Sequence, residues 1–81
     1  MEFFDSTKKP IDLEKQGYSV DVLIDVDGNR KNFEIGWWDY DDQLWRFHNV
    51  DANELHDIVD KKLLWAYLPL AELDGIDLKT L

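Results

Sequence analysis

Between Tyr18 and Phe47 the chain reads YSVDVLIDVDGNRKNFEIGWWDYDDQLWRF, and its first nine residues alternate apolar and polar with Leu23 the one exception. Tyr18, Val20, Val22, Ile24 and Val26 share one side of an extended backbone, while Ser19, Asp21, Leu23 and Asp25 share the other. Period two is the pattern of a half-buried β-strand, because successive side chains of extended backbone point to opposite faces. Asp27-Gly28 follows as a hairpin signal, since a two-residue turn needs positive φ at both central positions.

A two-residue loop there sets Val26 opposite Asn29, Ile24 opposite Lys31, Val22 opposite Phe33, Val20 opposite Ile35 and Tyr18 opposite Trp37. A second turn within Asp39–Gln43 brings Trp37 opposite Trp45 and Ile35 opposite Phe47. This register makes Trp37, Trp45 and Phe47 core residues, with aromatic pairs stacked across strands. It turns Trp38 and Tyr40 outward, beside Asp39, Asp41 and Asp42.

Beyond Phe47, Asp51 reads as an N-cap with Glu54 at the capping-box position, and Leu55, Ile58 and Val59 form an apolar stripe. Leu63–Leu68 reads as a further strand ended by Pro69, and Leu70–Asp74 as one helical turn stopped at Gly75. Phe3, Phe4, Ile11 and Leu13 are expected to cover one edge or face of the sheet. The predicted class is α+β: an antiparallel β-meander of about four strands, near 18–26, 30–38, 44–49 and 62–68, with one or two short helices, in a single domain over 1–81.

An 81-residue chain buries only roughly 60–65% of its unfolded surface, so the core is thin. Four Trp, four Phe and three Tyr compensate, and a hydrophobic share of 44% argues against disorder despite a net charge of -9. With no cysteine there is neither a disulfide nor a thiolate metal site. No apolar run approaches the roughly 18 residues of a membrane span, and Met1-Glu2-Phe3-Phe4 lacks the basic start of a signal peptide. The expectation is a soluble protein of the cytoplasm.

The charge is unevenly placed. From Glu34 to Asp60 the acids are Glu34, Asp39, Asp41, Asp42, Asp51, Glu54, Asp57 and Asp60, and Arg46 is the only base. So acidic a middle repels phosphate and anionic lipid, which disfavours direct nucleic-acid or membrane binding and favours a basic protein surface as partner. The bland reading of the same residues is a solubilising surface.

Catalytic motifs fare poorly. VLIDVDGN resembles the strand-borne DxDGT motif of haloacid-dehalogenase-type phosphatases, with Asp25 as nucleophile and Asp27 as general acid. Asn29 stands where the Thr belongs, however, and the chain has no room for a parallel sheet with crossover helices. Both acids read better as hairpin residues. A calcium loop fails because Leu23 would occupy the first ligand position. In the two-residue register Asp21, Glu34 and His48 form a row across three strands, a donor set for a divalent metal, or a solvated row offset by His48 and Arg46. The solvated reading is preferred, and neither a metal nor a cofactor is assigned.

The order Lys9-Pro10, then VDVLIDVDG, GWWDYDDQLW and LLWAYLPLAEL, resembles a short phage- and prophage-associated family, domain of unknown function 551. The similarity covers roughly Asp5 to Leu73. In that family a Pro-containing start leads to a V-L-V strand, an Asp-Gly turn, an aromatic-Asp segment and a closing W-x-P-L-P. Here Trp65 is followed by Ala66-Tyr67-Leu68-Pro69, and an acidic insert occupies Asn49–Lys62. The resemblance implies a small β-rich accessory protein of mobile elements without catalytic residues.

Charge and resemblance together predict a small acidic, non-enzymatic inhibitor or adaptor. It would occupy the basic, nucleic-acid-binding groove of a host defence protein such as a CRISPR effector or restriction enzyme. The predicted contact residues are Trp38, Asp39, Tyr40, Asp41, Asp42, Asp51, Glu54, Asp57 and Asp60. The alternative is a sugar- or peptide-binding module in which Trp38 and Tyr40 stack on the ligand and Asp39 and Asp41 accept its hydrogen bonds.

Overall fold

The computed structural model describes residues 1–51 and 62–78. Five strands, β1 (Phe4–Asp5), β2 (Val22–Asp25), β3 (Phe33–Asp39), β4 (Leu44–Phe47) and β5 (Leu64–Tyr67), form one antiparallel sheet in the order β1-β5-β2-β3-β4. A 3-10 turn, Ala71–Leu73, follows, and Gly75 beyond it takes a φ of 83°, as a helical stop at this glycine requires. The predicted meander holds for β2–β3–β4 alone. β5 returns to the far side of β2, and the N-terminal Phe4–Asp5 adds a fifth strand against it. Among the described residues the 3-10 turn is the whole of the helical structure; the helix expected from Asp51 onward lies outside them, apart from exposed Asp51 itself.

The first hairpin differs from the two-residue expectation in a way that changes everything after it. Val22 pairs with Gly36, Leu23 with Ile35, Ile24 with Glu34 and Asp25 with Phe33, and the Val26 N–H donates to the Asn32 carbonyl at 2.9 Å. The loop is therefore five residues, 27–31, and β3 is displaced by three positions. An odd displacement exchanges the two faces of a strand. The cause is local: the buried Asp25 carboxylate accepts the backbone N–H of Arg30 at 3.0 and 3.2 Å, and Gly28 and Arg30 take left-handed φ values of 71° and 62°. A two-residue turn would strand that carboxylate without a partner.

The second hairpin is one residue from expectation, with Gly36 opposite Phe47, Trp37 opposite Arg46 and Trp38 opposite Trp45. Trp38, only 4% exposed, is thus the core residue, and Trp37 lies half-buried on the opposite face, the reverse of the predicted assignment. A bulge before β2 completes the correction. Tyr18 bridges Asp39 while Val22 pairs Gly36, so three residues, 19–21, oppose two, 37 and 38. The alternation read from Tyr18 breaks there: Ser19 is buried, its Oγ accepts the Trp38 N–H at 2.8 Å, and the Val20 N–H donates to Ile11.

The core face collects Val22, Ile24, Trp38, Trp45, Phe47 and Trp65. Each large aromatic ring there withdraws about 150–250 Å² from water, worth roughly 4–6 kcal/mol at about 25 cal/mol per Å². The N-terminal segment lies over this face and is tied down by polar groups of the aromatics. Trp65 Nε1 donates to the carbonyls of Asp5 and Lys8, the Tyr67 hydroxyl accepts the Ile11 N–H at 2.9 Å, and the Tyr40 hydroxyl donates to the carbonyl of buried Pro10. The Lys9 ammonium sits 3.9 Å from the centre of the Trp38 ring, a cation–π contact on a desolvated face.

Candidate functional site

The turn joining β3 to β4 carries the densest group of carboxylates among the described residues. Its shape follows from Asp39, the last residue of β3: Oδ1 accepts the backbone N–H groups of Asp41 and Asp42, both at 3.0 Å. Arg46, the third residue of β4, donates from Nε to Asp39 Oδ2 at 3.2 Å and from its terminal nitrogen to Asp42 Oδ2 at 2.7 Å. The N–H of Asp42 above all, then the Arg46 guanidinium and the N–H of Asp41, hold the Asp39 carboxyl below its ordinary pKa against partial burial. Gln43 closes the turn with a φ of 56° and a side-chain bond to the Tyr40 carbonyl.

These contacts divide the predicted residues by role. Asp39 shapes the turn and Trp38 fills the core, so neither presents a free surface. Tyr40 is half-buried on Pro10, and burial, with the neighbouring Tyr67 and Asp12, raises its hydroxyl pKa. Asp41 and Asp42 are exposed, the latter by 59% of its side chain. Asp41 has room because Gly17 lies against it: a Cβ at Gly17 would stand 2.6 Å from Asp41 Oδ2. Glu54, Asp57 and Asp60 lie outside the described residues.

The Asp21–Glu34–His48 row separates. Glu34 pairs with Ile24 and so lies on the core-face side, where Asn49 approaches its carboxylate at 3.5 Å. Asp21 and His48 do meet on the other face, with Oδ1 and Nε2 2.9 Å apart, and the imidazole stands edge-on to Trp37 at 4.9 Å between ring centres. Among the described residues no group of three His, Cys, Asp or Glu is placed to hold a metal ion. Asp25, the would-be nucleophile of the phosphatase-like motif, is fully buried and bound to Arg30, and Asp27 bonds the Asn32 side chain at 2.7 Å. Both serve the hairpin loop.

The surface residue overlooked in the sequence is Trp37. With Leu23, Ile35, Leu44, Leu64 and the 43%-exposed Phe33 it forms the apolar part of the face opposite the core, which it shares with Arg46, Asp39 and the Asp21–His48 pair. The signal was present in the spacing of Phe33, Ile35 and Trp37, which alternates as cleanly as the core set. A scan against protein-family models and searches of curated proteins and of solved structures found no match. No helix among the described residues is long and apolar enough to cross a membrane.

Proposed function

We propose that this chain is a small acidic, non-enzymatic interaction protein that occupies a basic groove on a partner protein. The observation that carries the reading is the Asp39–Asp42 turn. It presents two exposed acids, Asp41 and Asp42, whose backbone is fixed by hydrogen bonds to Asp39, and Arg46 holds the Asp42 carboxylate. Carboxylates fixed on a rigid sheet can pair with Lys and Arg where phosphates otherwise sit, and a charge of -9 steers association with a basic groove. Arg46 offsets part of the local charge, so the turn acts together with the acidity of the whole chain.

The partner class proposed is a nucleic-acid-binding host defence protein, a CRISPR effector or restriction enzyme, and the chain an element of a phage or mobile element acting in the host cytoplasm. What supports this finer reading is the net charge and the resemblance of the Asp5–Leu73 pattern. The sugar-binding alternative loses its stacking platform, because Trp38 is in the core.

The test is capture from host lysate, followed by competition of the captured protein's DNA binding. The comparison variant is Asp41→Asn with Asp42→Asn, and Asp39 is kept because it shapes the turn. Wild type is expected to displace DNA, with affinity falling steeply as salt rises and at least tenfold in the variant. Competition insensitive to both salt and the variant sinks the reading.

A further inference from the structure

Residues 1–11 form an arm seated on the body of the domain by groups far along the chain. Trp65 Nε1, on a fully buried ring, donates to the carbonyls of Asp5 and Lys8 at 3.2 and 2.7 Å, and the Tyr67 hydroxyl accepts the Ile11 N–H. Phe4 and Asp5 pair with Trp65 and Leu64, the Phe4 ring lies 4.9 Å from that of Trp65, and Arg30 stacks on Phe3 at 4.0 Å. The Ile11 carbonyl accepts the Val20 N–H at 3.0 Å. An empty seat would strip the Trp65 N–H of both acceptors and leave β5 an edge strand open to other chains. The seat therefore needs an arm, but the contacts do not require the arm of the same chain.

What joins the arm to the body is a strained turn at the surface, residues 12–17. Lys15 takes a φ of 53°, a left-handed conformation that crowds the Cβ of an L residue, and Gly17 takes 95°. One residue closes the turn: Asp12 Oδ1 accepts the Gln16 N–H and Oδ2 the Gly17 N–H, each at 2.9 Å, and the Asp12 carbonyl accepts the Lys15 N–H at 3.3 Å. Glu14, Lys15 and Gln16 are exposed, so water replaces these bonds when the turn opens. Straightened, the six residues span about 20 Å, and Lys15 returns to an ordinary negative φ.

We propose that two copies of this chain pair by exchanging these arms, the Asp12–Gly17 turn opening so that each arm seats on the other body. Identity of contacts decides the occupant. A second copy's arm reproduces every bond described above, so the closed and exchanged forms differ in the turn and in the joining of two chains. Charge permits the exchange. Within the arm Glu2 and Asp5 balance Lys8 and Lys9, so the whole of the -9 lies on the body, and an arriving arm is not repelled as a second body is. A short linker holds its own arm at an effective concentration in the mM range, so exchange by the native chain sets in at about 1 mM, and lower wherever the closed turn is weakened. An exchanged pair carries two Asp41–Asp42 turns on one particle, and it forms whatever those turns bind.

The test places a cysteine at each of two facing positions, Asp5→Cys with Leu64→Cys, in a chain that has no other cysteine. Protein held at about 1 mM is diluted to about 10 µM and oxidised at once, so that chance collisions are not captured. Denaturing electrophoresis without reductant then shows closed arms as bridged monomers and exchanged arms as bridged dimers. Bridged dimers are expected from the native hinge. Lys15→Pro, whose ring cannot take a φ of 53°, should raise their share at least tenfold in samples kept at about 10 µM throughout. Lys15→Gly, which adopts that φ without strain, should lower their share after concentration.

Bridged monomers alone, from the native and Lys15→Pro hinges alike, overturn the exchange. Dimers confined to Lys15→Pro overturn it for the native chain. A dimer share equal in all three hinges overturns it too, because association then does not run through the turn. If Lys15→Pro fails to fold by circular dichroism, Lys15→Gly decides beside the native hinge: a smaller dimer share supports the exchange and an equal one overturns it.

Discussion

The carboxylate of Asp25, fully buried, holds the backbone N–H of Arg30 from both oxygens, at 3.2 and 3.0 Å, and the Arg30 guanidinium folds back to within 3.5 Å of it. That relationship sets the five-residue loop, and through the loop the facing of every residue in β3.

Replacing Asp25 therefore tests the loop rather than a surface charge. Asp25→Asn keeps the shape but loses the ionic acceptor, and the expected cost is about 1.5–3 kcal/mol, the range for hydrogen bonds to charged groups. Arg30→Ala, which removes a mostly exposed partner and keeps the backbone N–H, should cost about 0–1 kcal/mol. Urea midpoints compare the two, and equal costs would show that the salt bridge matters more than the turn.

The adjacent tryptophans give the cleanest test of facing. Trp38→Ala empties a core site between Trp45, Tyr40 and the Lys9 ammonium, and should cost roughly 3–5 kcal/mol, enough to unfold so small a domain. Trp37→Ala, on the half-open face, should cost clearly less. A denaturant titration reversing that order would return the sheet to the two-residue register.

Gly36 lies on β3 opposite Phe47 of β4. A Cβ there would run into the Arg46 carbonyl oxygen and stand 2.9 Å from Ile24 Cδ1. Backbone cannot yield as a side-chain tip does, so Gly36→Ala is expected to cost at least the roughly 1–3 kcal/mol of core overpacking. Thermal unfolding of this variant beside Gly75→Ala separates crowding from backbone strain, because Gly75 has a φ of 83° and open space around it.

Two hydroxyls tie stability to pH on the alkaline side. Burial raises Tyr40 above the ordinary tyrosine value of 10.0, with Tyr67 and Asp12 adding to it; burial also raises Tyr67, opposed by the Ile11 N–H. A raised folded pKa means the neutral phenol is favoured in the native state. Its stability is intact below pH 10 and is lost as pH climbs through the raised folded values. Tyr40→Phe and Tyr67→Phe should each flatten that loss, read from urea midpoints at pH 8 and 11.

Asp39 works in the opposite sense. Its lowered pKa contributes stability above the ordinary value of 3.8, and that contribution disappears as pH falls below it through the folded value. Acid titration of Asp39→Asn should show a shallower loss than wild type, read from urea midpoints on the two sides of pH 3.8.

Strand existence was legible because period-two runs and turn residues mark it locally. The register was not, and Phe33, Ile35 and Trp37 show why. They alternate with Glu34, Gly36 and Trp38, a less apolar set, so hydrophobic pattern alone seats Phe33, Ile35 and Trp37 in the core. What decides otherwise is the buried Asp25 carboxylate bound within its own loop and the extra residue at Ser19–Asp21, neither of which hydrophobic alternation shows. The acidic turn was legible as composition. Its division into Asp39 as scaffold and Asp41 and Asp42 as surface depends on Arg46, which reaches back from the next strand.

The place of β5 has a consequence for how such a chain is made. Residues 64–67 occupy an interior position between β1 and β2, and Phe4 waits for Trp65. While the chain emerges from a ribosome, β2–β3–β4 can pair as it appears, but the free side of β2 has no cover until Tyr67 has cleared. Unpaired strand edges on a nascent chain invite association with other chains. A chain cut before Leu64 should therefore aggregate far more than one cut after Leu73.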